Sequence, residues 1–156
     1  MELKRAPFAI AGRALLFVNS DVAAAVEIGA DGVHFPESLA AGSIPTGSLL
    51  VSRAAHSIEA AVAAQRAGAD LIQLGTVFET RSHPGVPTVG VEGVREVCER
   101  AATPVIAIGG ITAANAAELM RAGAAGVAVI GAIFDADDPR AAAAGLRLAL
   151  AVAAKA

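Results

Sequence analysis

Pro104-Val-Ile-Ala-Ile-Gly-Gly-Ile111, followed one helix later by Gly126-Val-Ala-Val-Ile-Gly-Ala-Ile133, is the stretch whose reading decides the fold. The first run is short, apolar and β-branched, and it stops at a glycine pair. That is the pattern of a buried parallel strand whose carboxyl end opens into a tight loop. Thr112 is placed to cap a helix that carries Asn115, Glu118 and Leu119 and ends near Gly123. The second run repeats strand, glycine and helix start. Two neighbouring strand ends with small residues and free backbone N–H groups predict a phosphate cradle at Gly109, Gly110 and Gly131. The glycines read equally well as plain packing devices, because a residue without Cβ also lets two backbones approach closely.

Working outward, the same unit recurs. Strand candidates fall at 14–18, 32–35, 49–52, 71–74, 105–108 and 127–130, separated by helical stretches. Gly29-Ala-Asp-Gly32, Gly68-Ala-Asp-Leu71 and Gly123-Ala-Ala-Gly126 each end a helix and lead at once into a strand. Asp21 or Ser20, Ser57 and Pro139 stand where helices begin. Strands alternating with helices, each strand continuously apolar, predict a parallel sheet buried on both faces. Periodicity leaves open whether that sheet is a barrel or an open, doubly wound one. Neither the dinucleotide fingerprint G-x-G-x-x-G nor the P-loop G-x-x-x-x-G-K-[ST] occurs.

Composition bounds the rest. A chain of 156 residues is expected to form one domain over 1–156, with 55% hydrophobic residues, many of them alanine, and only 3% aromatic. A net charge of −3 offers no basic footprint, so nucleic acid is not an expected partner. The lone cysteine, Cys98, lies in a helical stretch and reads as a buried structural thiol. The opening Met1-Glu-Leu-Lys-Arg5 lacks the apolar core of a secretory signal, and Gly, Pro, Thr or charge interrupts every long apolar run. No membrane partner and a cytoplasmic location are therefore expected.

From 105 to 133 the pattern resembles the thiamine phosphate synthase and TenI family of (β/α)8 barrels, and the likeness extends over residues 14–134. Phe17-Val-Asn19 looks like the family's strand ending in Asn, and Gly29-Ala-Asp-Gly-Val-His34 matches its "GADGVH". His56-Ser-Ile-Glu-Ala-Ala61 looks like "HS-x-E-E-A", and Gly68-Ala-Asp70 with Gly75-Thr-Val-Phe-Glu-Thr80 looks like "GAD…G-x-VF-x-T". The resemblance implies a small phosphorylated thiazole or thiamine phosphate bound at the barrel's carboxyl face. Its phosphate would lie against Gly109-Gly110 and Ile130-Gly131, with hydroxyls from Thr80 and Ser82 and with Asn19 at the neighbouring rim.

Departures from the family pattern shape the functional expectation. Six strand candidates predict an incomplete TIM-type barrel of about six parallel strands, without the first two βα units. The family's Asn-Asp pair reads Asn19-Ser20, and its Gly-Gln-Glu-Asp segment reads Pro36-Glu37-Ser38, so the magnesium carboxylates are replaced. Ala54 and His83 stand where the family has a serine and a loop lysine. No metal and no cofactor are expected on this reading, and thiamine phosphate synthesis is its least favoured outcome.

Pro36-Glu37-Ser38-Leu39 and Val77-Phe-Glu-Thr80 resemble the TenI branch, the thiazole tautomerases. An isomerase of that kind needs an acid–base group, and a threonine at 76 cannot relay a proton near neutral pH. The candidates are His34, His56 and His83, with Glu37 a weaker base and each histidine also readable as structural. Arg53 and Arg81 are candidate cations beside a phosphate, or ordinary surface arginines. The alternative is a degenerate, non-catalytic phosphate-binding or assembly protein. Because six strands leave two open edges, a homo-oligomer that covers them is expected.

Overall fold

The computed structural model describes residues 14–39, 45–81 and 84–153. Its elements run β1 (Phe17–Asn19), α1 (Val22–Ile28), β2 (Gly32–Phe35), β3 (Leu50–Ala55), α2 (Ile58–Arg66), β4 (Leu71–Leu74), α3 (Gly90–Arg100), β5 (Val105–Ile108), α4 (Ala116–Arg121), β6 (Gly126–Ala128), α5 (Gly131–Phe134) and α6 (Pro139–Ala153). The strands form one six-stranded sheet in sequence order, and every neighbouring pair is parallel. A doubly wound sheet reverses its strand order at a switch point. No reversal occurs here, so the sheet curls in one sense into a half-barrel, an incomplete TIM-type α/β barrel.

Local chemistry explains the boundaries. Asp21 Oδ1 accepts the Ala24 N–H at 2.9 Å, Ser57 Oγ accepts the Ala60 N–H at 3.1 Å, and Asp138 Oδ1 accepts the Ala141 N–H at 2.9 Å. The last of these places Pro139 at the first turn of α6, where it needs no N–H partner. Thr112 departs from expectation. It serves α4 through its backbone, its N–H donating to Asn115 Oδ1 at 2.8 Å and its carbonyl accepting from Ala116 at 3.0 Å.

The repeated Gly-Ala-Asp motif is a helix stop fused to a strand start. Gly29, Gly68 and Gly123 take left-handed φ of 66°, 78° and 100°, and the following alanine N–H reaches back five residues to Ala25, Ala64 and Leu119. The next residue then locks the coming strand to its neighbour. Asp31 donates its N–H to the Leu16 carbonyl at 2.9 Å and accepts the Leu16 N–H on its carboxylate at 2.7 Å. Asp70 does the same with Val51, at 2.8 Å in both directions. The third copy has Ala125, which keeps only the backbone bond to Val105, at 2.8 Å. Gln65 Oε1 adds bonds at this end from the Ala102 and Thr103 N–H groups, at 2.6 and 3.1 Å.

The core lies on the convex, helix-covered face. Ala55, Ile72, Leu74, Val105 and Ala107 pack with Ala64, Val94, Val97 and Leu119 of the helices and Leu146 of α6. A smaller cluster gathers Val18, Ala25 and Ala30 near β1. Each large side chain buried this way contributes about 1.5–3 kcal/mol. The expectation of burial on both faces does not hold: β5 alternates buried Val105 and Ala107 with half-buried Ile106 and Ile108. Among the described residues helices cover one side of the sheet, and the six strands leave the concave side partly open. Arg53 lies on the convex face, 6% exposed, with its guanidinium 5.6 Å from the Phe35 ring centre and donating to the Leu39 carbonyl at 2.6 Å. It is a packing cation there, and neither a cation beside the phosphate nor an ordinary surface arginine. Among the described residues no helix is long and apolar enough to cross a membrane.

Candidate functional site

Parallel strands deliver all their following loops to one end of the sheet, and the loops after β4, β5 and β6 meet there. The segment after β4 continues to pair with β5 beyond the strand proper: Val77 and Phe78 donate to the Ile108 and Gly109 carbonyls, each at 3.0 Å. It returns through Val89 and Gly90, which donate to the Thr76 and Val77 carbonyls at 2.9 and 3.1 Å. This close approach requires glycine at the β5 end. Gly109 and Gly110 have φ of 104° and 64°; a Cβ on Gly109 would meet Thr76 at 2.8 Å, and one on Gly110 would meet the Glu79 carbonyl at 2.5 Å.

Beside these glycines lies a cavity of about 360 Å³, opened by Glu79, Thr80 and Arg81 on one side, Gly109, Gly110 and Thr112 in the middle, and Ile130, Gly131 and Asp135 on the other. Asn115 holds the middle wall in shape, its amide nitrogen donating to the Gly110 carbonyl at 3.1 Å while its oxygen takes the Thr112 N–H. Among the described residues the N–H groups of Gly110 and Gly131 have no acceptor. Such unpaired donors beside a hydroxyl and a guanidinium suit an anionic ligand. Arg81 is paired across the mouth with Asp135, Nη2 to Oδ2 at 3.3 Å.

Of the residues picked out by sequence, Thr80, Arg81, Gly109, Gly110, Ile130 and Gly131 line this one cavity. His34 and His56 are not among the residues that line it. His34 sits on the concave face, its Nδ1 3.0 Å from Ser52 Oγ, which also takes a 3.4 Å bond from the Gln73 amide. Burial lowers the His34 pKa below its ordinary 6.5. Asn19 is the register partner of His34 on β1 and accepts the Ser20 hydroxyl at 3.1 Å. His56 is an exposed residue at the end of β3; its N–H and its Nδ1 both meet Glu37 Oε2 at 2.7 Å. Glu37 thereby ties the loop after β2 to the loop after β3. Ser82 and His83 lie outside the described residues.

Sequence reasoning missed Glu79, Thr112 and Asp135 as cavity residues. Asp135 had a signal, since it follows Gly131 by one helical turn and so returns to the same side. Magnesium, which the resemblance implies for the synthases, does not fit the groups present. The Asp21 carboxylate is occupied as a helix cap and that of Glu37 by His56. Among the described residues no three His, Cys, Asp or Glu side chains gather closely enough to hold an ion.

Comparison with known proteins supplies the family. The profile described as thiamine monophosphate synthase (TMP-TENI) matches residues 4–133. The thiamine-phosphate synthase of Chloroflexus aurantiacus is 41% identical over 143 residues, covering 88% of this chain and 65% of that protein. That of Methanoculleus marisnigri is 41% identical over 149 residues, covering 90% and 69%. The solved thiamine phosphate pyrophosphorylase from Pyrococcus furiosus superposes with a TM-score of 0.86 at 32% identity, covering 97% of this chain and 75% of that one. The chain thus spans about two-thirds of the length of the curated relatives it matches.

These relatives overturn the expected function. A TenI-like tautomerase or a degenerate binder was favoured and the synthase reading ranked last, yet the relatives carry the synthase name at 41% identity. The expectation rested on a few replaced positions around Asn19-Ser20 and Pro36-Glu37-Ser38. Identity spread over more than a hundred residues outweighs them.

Proposed function

The chain belongs to the thiamine monophosphate synthase family, and on that premise we propose that it is the phosphate-holding part of a thiamine-phosphate synthase. The ligand phosphate, on a thiazole phosphate before the coupling or on thiamine phosphate after it, sits in the cavity between β5 and β6. The observation that carries this is the pair of strand ends at Gly109-Gly110 and Ile130-Gly131, where unpaired N–H groups and a Cβ-free wall face one cavity. Backbone N–H groups fixed by the fold hold a phosphate without needing a basic surface, which suits a chain of net charge −3. Thr80 contributes a hydroxyl from the loop after β4.

The remaining site residues take supporting parts in this proposal. His34, kept neutral by burial, offers one ring nitrogen to the ligand from the concave face while Ser52 engages the other. Asn19 flanks it, and His56 orients the rim through Glu37. The chain is read as a single domain working in the cytoplasm. A second copy covers the open sheet edges, with exposed apolar side chains such as Leu15 before β1 and Ile130 after β6 available to it.

Titration calorimetry with thiamine phosphate and with thiamine tests the phosphate reading. The phosphorylated compound is expected to bind about tenfold more tightly or better, the equivalent of one charge-assisted hydrogen bond. Equal affinity for the two sinks it. Formation of thiamine phosphate from the thiazole phosphate and the pyrimidine pyrophosphate, followed by chromatography, tests the reaction itself.

A further inference from the structure

The proposed phosphate cavity has an electrostatic mismatch. Arg81 is the sole cationic side chain among the described residues lining it, and it is outnumbered by two carboxylates, Glu79 and Asp135. A phosphate ester near neutral pH brings up to two further negative charges. As the side chains stand, the one available cation is engaged by Asp135.

That engagement bridges two separate parts of the rim. Arg81 belongs to the loop after β4 and Asp135 directly follows α5, so the pair crosses the cavity mouth. Asp135 also lies hard against the cradle backbone, since a Cβ on Gly131 would come 2.8 Å from its Oδ2. The carboxylate therefore stands next to the position assigned to the phosphate and holds the group that a phosphate would seek. Arg81 is 91% exposed and Asp135 59%, so both side chains have room to turn. Ion pairs this exposed are weakly held.

We infer that Asp135 acts as a stand-in anion for Arg81 and that an entering phosphate displaces it. The guanidinium passes from carboxylate to phosphate, and the exchange sets how tightly the cavity holds phosphorylated ligands. This rests on the phosphate reading of the same cavity. Arg81 is then a ligand-contacting residue and Asp135 a positioning residue that acts through it. A dianion satisfies the guanidinium better than a carboxylate does, while an unphosphorylated ligand has nothing to offer it and leaves the bridge closed.

Calorimetric titration with inorganic phosphate at low ionic strength tests this in the wild type, D135N, R81Q and the double variant. Both side chains are exposed, so melting temperatures are expected to stay together and confirm that each variant is folded. D135N is expected to bind phosphate up to about fivefold more tightly, the scale of an exposed ion pair, and R81Q more weakly. The deciding readout is background dependence: D135N gains nothing once Arg81 is gone. An unchanged affinity in D135N, or an equal gain in both backgrounds, overturns the exchange and leaves simple repulsion or no role. A wild type that binds no phosphate overturns the phosphate reading instead.

Discussion

His34 Nδ1 lies 3.0 Å from Ser52 Oγ, joining paired positions of β2 and β3 on the concave face. Burial holds this imidazole's pKa below 6.5, so the folded chain binds fewer protons than the unfolded chain as acidity rises. Stability is unaffected above the unfolded pKa and is lost as the pH falls through it toward the lower folded value. In H34Q that term is absent. Melting temperatures recorded between about pH 7 and pH 5 are expected to fall more steeply for the wild type than for the variant. Parallel curves would show that His34 does not carry the difference.

Gly110→Ala is expected to damage both the fold and the cradle. Its φ of 64° disfavours a side chain, and the new Cβ would press on the Glu79 carbonyl at 2.5 Å. We expect a stability loss of about 1–3 kcal/mol by denaturant melts, together with loss of thiamine phosphate binding. Gly85→Ala is the control, with a similar φ of 73° but open space around it. It is expected to cost about 1 kcal/mol and to leave binding unchanged.

The Gly-Ala-Asp repeat offers a gain as well as losses. Asp31→Ala and Asp70→Ala each remove the acceptor of a strand N–H, at Leu16 or Val51, and are expected to cost about 1 kcal/mol apiece. Ala125→Asp restores the missing carboxylate opposite Val105 and is expected to add up to about 1 kcal/mol. Chemical denaturation of the three variants decides it, and a destabilised A125D would count against the equivalence of the copies.

Leu119 is fully buried between sheet and helices, and Leu119→Ala is expected to cost about 2–5 kcal/mol. Leu148, on α6, is 67% exposed. Within one protomer Leu148→Ala is expected to change stability by less than about 0.5 kcal/mol. If the proposed second copy rests on α6, the same substitution lowers the molar mass measured by light scattering, and an unchanged mass counts against α6 as its seat.

The alternation of strand and helix was legible because the Gly-Ala-Asp pattern marks three of the helix stops with local chemistry: a left-handed glycine and a reach-back bond between near neighbours. The glycine pair that ends β5 was legible as a tight loop because it interrupts a short β-branched run. The sequence could not show which side chains meet across long separations. Glu37 and His56 are joined because parallel strands bring their loops together, and Arg53 meets Phe35 and the Leu39 carbonyl because β2 and β3 pair side by side. The functional branch was misjudged on a few altered positions, which are visible singly, while identity spread along the chain is visible only beside relatives.

The Asp31, Asp70 and Gln65 bonds gather where the strands begin, and the glycine cavity opens where they end; the two sets share no residue. Mutational drift at one rim therefore leaves the other intact. For directed evolution this separates two searches: thermostabilising changes can be selected at the strand starts, and ligand preference can be reshaped at the opposite rim on that hardened scaffold.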